Sequence, residues 1–431
     1  MTIRETAGNK DFTTRTVHAG QSPDPITGAI TTPVYLTSTY VLEEIGKDRG
    51  YQYSRTNNPT RTVLEALVAD LEGSKYGIAF STGMAAADAV VRALLKSGDH
   101  VVVCDDAYGG IYRLFEKNYQ KFGLKFTYID TRNPKNVEKA LLPGTRMIWL
   151  ESPTNPLLKI TDIATIAKIV EKVNENREED EKIILCVDNT FMTPYFLKPL
   201  ELGADIVIHS TTKYLSGHNQ LVGGMVVVKD DSDKWYYQPR QVTGLMGKEE
   251  IDEKTGEVKI ETVNTLYEEI RFIQNAAGAV PGPFDCWLTI TGIKTLALRM
   301  QKHEENAHKI VEFLKNHPKV DKIYYPGLET HMNHGIAKQQ MSGFGGMIAF
   351  ELKASIEEAI RFMNKVELWS LAESLGAVES MITHPASMTH AAIPPEVRHA
   401  RGINDGLIRL SVGIESVNDL IIDLKRALES I

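Results

Sequence analysis

From about residue 63 onward, short unbroken apolar runs alternate with segments whose apolar positions recur every three or four residues. The first pattern predicts strands buried on both faces and the second predicts amphipathic helices, so the chain reads as βα units around a mostly parallel sheet. Strands are expected at Tyr76–Phe80, His100–Cys104, Lys125–Ile129, Met147–Leu150, Ile183–Val187 and Ile206–His209, with helices at Ala85–Leu95, Ile111–Phe122 and Ile163–Val173. The first sixty residues lack this periodicity. They carry Pro23, Pro25, Pro33 and Pro59 among several glycines, and read as an extended arm of the kind that reaches a neighbouring subunit. After Pro281 and Pro283, a long helical stretch through Ile293–Leu314 leads into a smaller α+β region, which closes with a strand at Leu407–Val412 and a terminal helix.

Two segments read as local insertions. The charged run at 174–182 predicts a helix end prolonged into solvent, and alternation on both sides of Lys254-Thr255-Gly256 predicts a surface hairpin within 229–261, with Tyr267 beside it at a pocket entrance. A chain of 431 residues outgrows a single core, so two domains are expected. Its 48 basic and 56 acidic residues give a net charge of -8, which speaks against nucleic acid or an anionic membrane and for a small-molecule partner. Cys104, Cys186 and Cys286 are far apart and form no CxxC pair, so neither a disulfide framework nor a metal site is expected. No run approaches the roughly 18 apolar residues of a membrane span. The opening Met-Thr-Ile-Arg-Glu lacks the apolar stretch of a secretion signal, and a soluble, cytoplasmic protein is expected.

Candidate chemistry gathers at strand ends. The run Ile206–His209 stops at Ser210-Thr211-Thr212 and then Lys213, at the edge where open α/β sheets bind ligands. A lysine desolvated there becomes a nucleophile for an aldehyde, while Ser210 and Thr212 would hydrogen-bond a phosphate. Alone, such a lysine is more often a solvated loop residue. Asp188 ends the preceding strand, where a carboxylate could keep a pyridine nitrogen protonated or could simply serve as a cap or Asx-turn residue. At Tyr76–Met84 a strand turns through Gly83 and Met84 into a helix, whose free N–H groups can hold a phosphate. Together these three features are what pyridoxal phosphate (PLP) requires, with Lys213 carrying it as a Schiff base.

Around them lie YQYSRTNNPTR (51–61), DDAYGGIYR (105–113), ESPTNP (151–156), VDNTFMTPY (187–195), STTKYLSGH (210–218), FDCWLTITGIKTLALRM (284–300), LAESLGAVES (371–380) and IRLSVGIE (408–415). On these stretches the chain resembles the Cys/Met-metabolism (trans-sulfuration) family of PLP-dependent enzymes, from about residue 11 to the C-terminus. The resemblance implies the fold-type I, aspartate-aminotransferase-like architecture: an arm (1–60), a PLP-binding domain with a mostly parallel seven-stranded sheet (61–287) and a smaller C-terminal α+β domain (288–431). It also implies a homotetramer built from dimers, in which Tyr53 and Arg55 of one subunit reach the cofactor phosphate of the next. Tyr108 is then the ring that stacks on PLP and moves protons. Arg409 clamps the substrate α-carboxylate, assisted by Asn155 and Ser374.

At the far end of the site the resemblance makes Arg113 and Glu373 the informative residues. A glutamate at position 373 is similar to cystathionine γ-lyases and γ-synthases, whereas methionine γ-lyases carry an apolar residue there and a cysteine in place of Gly110. A glutamate buried in a pocket for a methyl thioether would cost of order 1–3 kcal/mol. The expected reaction is α,γ-elimination of cystathionine, with γ-synthesis from an acylated homoserine as the alternative; methionine γ-lyase and O-acetylhomoserine sulfhydrylase activities rank below both. ESLGAVES followed by MTHA (388–391) leans to the lyase. A PLP-binding protein without turnover is the reading from another class, and it would have no use for the Arg409 clamp.

Overall fold

Seven apolar runs pair into the larger sheet: β1 (Tyr76–Phe80), β2 (His100–Cys104), β3 (Lys125–Ile129), β4 (Thr145–Glu151), β5 (Ile184–Asp188), β6 (Ile206–His209) and β7 (Gly224–Val228). This is a computed structural model, and it describes residues 10–230, 250–251, 258–259, 265–388 and 395–431. The strand order is β1-β7-β6-β5-β4-β2-β3. Neighbours from β6 through β3 are parallel, and β7 runs antiparallel to both β1 and β6. Six strands therefore point the same way. Every residue of β2, β4, β6 and β7 is buried, as expected where helices cover both faces and polar positions have no face to occupy.

Three helices near the start of the chain position the site. α1 (Phe12–His18) lies inside the proline-rich arm, where the sequence predicts only extended chain, and is fastened by an ion pair of 2.8 Å between Arg15 and Asp70. α2 (Pro59–Glu72) begins with the Asn58 side chain accepting the Thr60 and Arg61 N–H groups and stops at Gly73. α3 (Gly83–Leu94) follows β1, its first turn capped by the Thr82 hydroxyl, which accepts Ala85 N–H at 2.9 Å. The start of α3 sits directly on the ends of β6 and β7. A Cβ on Gly224 would stand 2.2 Å from Thr82 O, and one on Gly83 would stand 2.9 Å from Ser210 Cβ.

β8 (Glu250–Ile251) and β9 (Val258–Lys259) pair antiparallel, in accord with the hairpin read from the sequence; its turn at Lys254–Gly256 lies outside the described residues. The second sheet holds β10 (Val320–Tyr324), β11 (Met347–Leu352), β12 (Ser370–Leu371), β13 (Met381–Thr383) and β14 (Leu407–Ser411), in the order β10-β11-β14-β13-β12. The expected helical stretch Ile293–Leu314 is the helix Leu296–Lys315, and a separate helix, Pro283–Ile293, precedes it and contains the 287/288 position.

Two further expectations need correction. The run at 174–182 does not prolong its helix, which ends at Asn174. The Asn174 amide bonds Ile183 O and N at 3.0 and 2.8 Å, and Arg177 donates to Leu142 O at 2.9 Å, so the segment turns back toward the strand ends while Glu175, Glu178 and Asp180 stay exposed to solvent. Ile111–Phe122 is not one α-helix but a turn at Gly109–Tyr112, a wider π-type segment at Arg113–Asn118 and a tight 3-10 turn at Tyr119–Phe122.

Gly224→Ala should force Thr82 and the first turn of α3 away from the sheet edge. Overpacking of this kind costs about 1–3 kcal/mol. The expected result is a lower thermal midpoint together with weaker retention of a phosphate-bearing ligand, measured by thermal denaturation and equilibrium dialysis; wild-type values for both would contradict the packing described.

Candidate active site

Because six strands run in one direction, their carboxyl ends form a single edge, and a cavity of about 390 Å³ opens over it. Gly83 and Met84 from α3, Tyr108 from the β2 loop, Asn155 from the β4 loop, Asp188 from β5, and Ser210, Thr212 and Lys213 after β6 line its floor and walls. Glu373, Ser374 and Arg409 come from the second sheet region and close it from the opposite side. Residues spread from position 83 to 409 thus meet in one cleft.

Lys213 is half-buried and donates from Nζ to Ser374 Oγ at 2.7 Å. Burial, and then the nearby Arg409 cation, pull its pKa down to about 8, while Glu373 opposes them. Arg409 lies on β14 between β11 and β13 with 1% of its surface exposed. Its guanidinium donates to Asn155 Oδ1 at 3.0 Å, Ser374 O at 2.9 Å and Thr383 Oγ1 at 3.2 Å. Burial lowers its pKa to about 10, so the group stays charged and fixed. Ser374 holds a φ of 112°, a conformation that costs a non-glycine residue of order 1–3 kcal/mol. Its two hydrogen bonds, to Lys213 and Arg409, hold it there.

Asp188 makes the Asx turn that the sequence left open, accepting Thr190 N–H at 2.9 Å, yet its carboxylate still lines the cavity. Burial raises its pKa, and the Thr190 contacts and His209 pull against that rise. Glu151, one residue past the predicted end of β4, was not singled out in the sequence. It is cross-strand neighbour to Asp188, lines the cavity and accepts Tyr108 N–H at 2.8 Å. Burial, then the Asp188 charge, push its carboxyl well above the usual range. Its signal was its place at the head of ESPTNP, where a strand run ends in an acid.

Other expected residues lie elsewhere. Tyr53 and Arg55, expected to serve a neighbouring subunit's site rather than this one, are exposed and do not line the cavity; the Arg55 guanidinium sits 5.2 Å above the Tyr53 ring. Arg113 is exposed in the π-type segment and does not line the cavity either. Glu373 does line it but is exposed, not buried, so the desolvation argument against a thioether substrate loses most of its force. Tyr267 packs against Tyr76, ring centroids 5.1 Å apart, rather than at the entrance. Of MTHA, only Met388 belongs to the described residues. The three cysteines are buried and free, and among the described residues no cluster suited to a metal ion and no helix long and apolar enough to cross a membrane occurs.

An amine with depressed basicity, a carboxylate at the neighbouring strand end and a helix start with close backbone approach suit the aldehyde, ring nitrogen and phosphate of PLP, and define the class as a PLP-dependent α/β enzyme. Comparison with known proteins agrees. A family model for "Cys/Met metabolism PLP-dependent enzyme" matches residues 13–429. A cystathionine beta-lyase of Coxiella burnetii is 48% identical over 96% of this chain and 97% of its own, and a cystathionine gamma-lyase of Bacillus subtilis is 49% identical over 96% and 98%. The crystal structure of cystathionine gamma-lyase from Lactobacillus plantarum complexed with L-serine superposes with a TM-score of 0.86 at 44% identity, covering 98% of this chain and 99% of that one. The chain belongs to the Cys/Met metabolism family of PLP-dependent enzymes, with the fold-type I architecture, and PLP is its cofactor.

The electrostatics predict when Lys213 reacts. In cofactor-free protein, borohydride-trapped condensation with a small aldehyde should rise with pH around a midpoint of about 8, because only the unprotonated amine attacks. Removing the neighbouring cation in Arg409→Met should move that midpoint up, and Glu373→Gln should move it down; a midpoint near 10.4, typical of a solvated lysine, would contradict the arrangement.

Proposed function

We propose that this chain is a cystathionine γ-lyase, which consumes cystathionine and water and yields cysteine, 2-oxobutanoate and ammonia. When bound, PLP supplies an aldehyde that can join an amine and a ring that draws electrons away from the substrate Cα. The roles of the surrounding residues follow from their chemistry. Gly83 and Met84 N–H groups with the Ser210 and Thr212 hydroxyls would hold the phosphate, and Asp188 would face the ring nitrogen. Arg409, steadied by Asn155, would grip the α-carboxylate through a forked pair of hydrogen bonds. Lys213, displaced by the substrate amine, would take the Cα proton, a task suited to a base whose pKa is near neutrality. Tyr108 would lie over the ring and assist proton movement.

The observation that carries the reading is the position of Glu373 on the cavity wall facing both Lys213 and Arg409, close enough to act on each electrostatically. A carboxylate there suits the distal ammonium of cystathionine and offers nothing to the methyl thioether of methionine. Gly110 supports the same choice, since a Cβ at that position would stand 2.3 Å from Tyr108 Cε1. The second reading is γ-synthesis from an acylated homoserine, whose product cystathionine would bring the same distal ammonium to Glu373.

Purified protein offered cystathionine alone should release 2-oxobutanoate and cysteine. Product formed only from cysteine plus acylated homoserine would replace the lyase with the synthase, and pyruvate with homocysteine would mark β-elimination. Because Glu373 is exposed, Glu373→Leu should raise KM for cystathionine modestly, about 5- to 10-fold, the equivalent of ~1 kcal/mol.

We also propose the homotetramer. Its support is the arm, which leaves Ile26, Ile30, Val41 and Ile45 at 83–102% exposure beside Tyr53 and Arg55, a surface suited to a second copy of the chain. If Arg55 serves a neighbour's cofactor, mixing Arg55→Ala subunits with Lys213→Ala subunits should restore part of the activity that each lacks alone. No recovery in verified mixed oligomers would remove the shared site.

A further inference from the structure

Behind the strand ends, on the face of the sheet away from the cavity, lies a buried polar group with no part in the chemistry above. Side chains alternate across each strand end. Asp188, Thr190 and Ser210 line the cavity, whereas Asn189 and His209 turn the other way and meet Glu72, the last residue of α2. Glu72 Oε1 and His209 Nε2 share a hydrogen bond of 2.6 Å, and the same oxygen accepts from Asn189 Nδ2 at 3.0 Å. Asn189 Nδ2 also donates to Leu197 O at 2.8 Å. The Glu72 and His209 side chains are fully buried, and Asn189 is 1% exposed.

This is an unfavourable place for a carboxylate. It is cut off from water and stands at the negative end of the α2 dipole. The surrounding core is aliphatic, including Val207, Met225 and Leu197, and apolar residues of similar volume would be at least as stable there. A local rule broken without local gain is expected where a site nearby depends on it. What lies nearby is the junction of β5 and β6. Asn189 follows Asp188 directly, and His209 stands four residues before Lys213. On the cavity side the same junction is tied by Ser210 N–H to Thr190 Oγ1 at 2.9 Å and Thr190 N–H to Asp188 Oδ1 at 2.9 Å.

We propose that Glu72 and His209 form a positioning pair that acts through the sheet, fixing Asp188 relative to Lys213 and presenting the positive end of a buried hydrogen-bonded dipole to the Asp188 carboxylate. The His209 imidazole stands on β6, the strand paired with β5 at Asp188, and so faces that carboxylate more nearly than the Glu72 carboxyl it bonds. The ionisable groups packed against Asp188 are Glu151 from β4, the Cys186 thiol on β5 itself and His209 from β6. Of these, His209 alone can favour the Asp188 anion. The inference rests on the reading that Asp188 faces the cofactor's ring nitrogen.

The test uses PLP-loaded Glu72→Gln, His209→Gln and Asp188→Asn proteins, with the pH midpoint of the bound cofactor's visible absorption, its dissociation constant and the thermal midpoint measured for each. A less anionic Asp188 leaves the ring nitrogen less protonated, so the ring withdraws less from the nitrogen held by Lys213, and that nitrogen keeps its proton to higher pH. Both back-face variants should therefore move the spectral midpoint upward, in the same direction as Asp188→Asn and by roughly half a unit or more, with several-fold weaker cofactor binding. A lower thermal midpoint with an unmoved spectral midpoint would make the pair purely structural and overturn the proposal. Should a single variant fail to fold, Glu72→Gln combined with His209→Gln keeps a neutral hydrogen-bonded pair, and the same criterion applies to it. If Asp188→Asn shifts the midpoint and the back-face variants do not, only this inference falls. If Asp188→Asn itself has no effect, the assignment of Asp188 falls and takes this one with it.

Discussion

Two cations, Lys213 and Arg409, face one cavity from opposite sides, and much of the site's arrangement answers the cost of burying them close together. Arg409 keeps its charge at ordinary pH even with its pKa near 10, and burial first, then that neighbouring charge, bring the Lys213 pKa down to about 8. Ser374 stands between them with a hydrogen bond to each. Its strained backbone is thereby held by the two groups it separates. The second sheet supplies Arg409 and Ser374 and the large sheet supplies Lys213, so the basicity of one amine is set by how two parts of the chain meet.

Across the cavity floor the problem has the opposite sign. Glu151 and Asp188 end adjacent parallel strands in register, with Asp106 further along the same edge, tied to Thr154 Oγ1 at 2.6 Å and raised by burial to about 7. Three acids so close together disfavour one another's ionisation. A parallel sheet makes this crowding easy, because every strand delivers its last residue to one line. Hydrogen bonds from Thr190, Tyr108 and Thr154, and the Lys159 cation beside Asp106, pull against that crowding.

The sequence was most legible where local pattern and global role coincide. Buried runs such as Val101–Val103 and Ile206–Ile208 read directly as strands, and the residues just past them read as site candidates because chemistry in open sheets collects there. Legibility failed where tertiary partners decide. β7 is an apolar run that was not among the expected strands, and nothing local tells that it inserts antiparallel between β1 and β6. Glu151 was passed over because the strand was ended one residue early. Arg113 and Glu373 were placed by resemblance in a buried pocket, whereas the π-type winding after Tyr112 and the loop after β12 leave both side chains exposed. α1 escaped notice because its seven residues are held by tertiary partners, Arg15 to Asp70 of α2 and Phe12 edge-on to Tyr195 with ring centroids 5.3 Å apart.

A lysine whose pKa lies near 8 is already unprotonated in about one molecule in ten at neutral pH, against fewer than about one in a thousand for a solvated lysine. Before it is loaded, such a chain is a ready trap for any carbonyl compound small enough to enter the cleft, sugars and metabolic by-products included. Prompt capture of its own vitamin-derived aldehyde is therefore also a form of protection, since the same chemical readiness that makes the protein useful leaves a newly made copy open to damage.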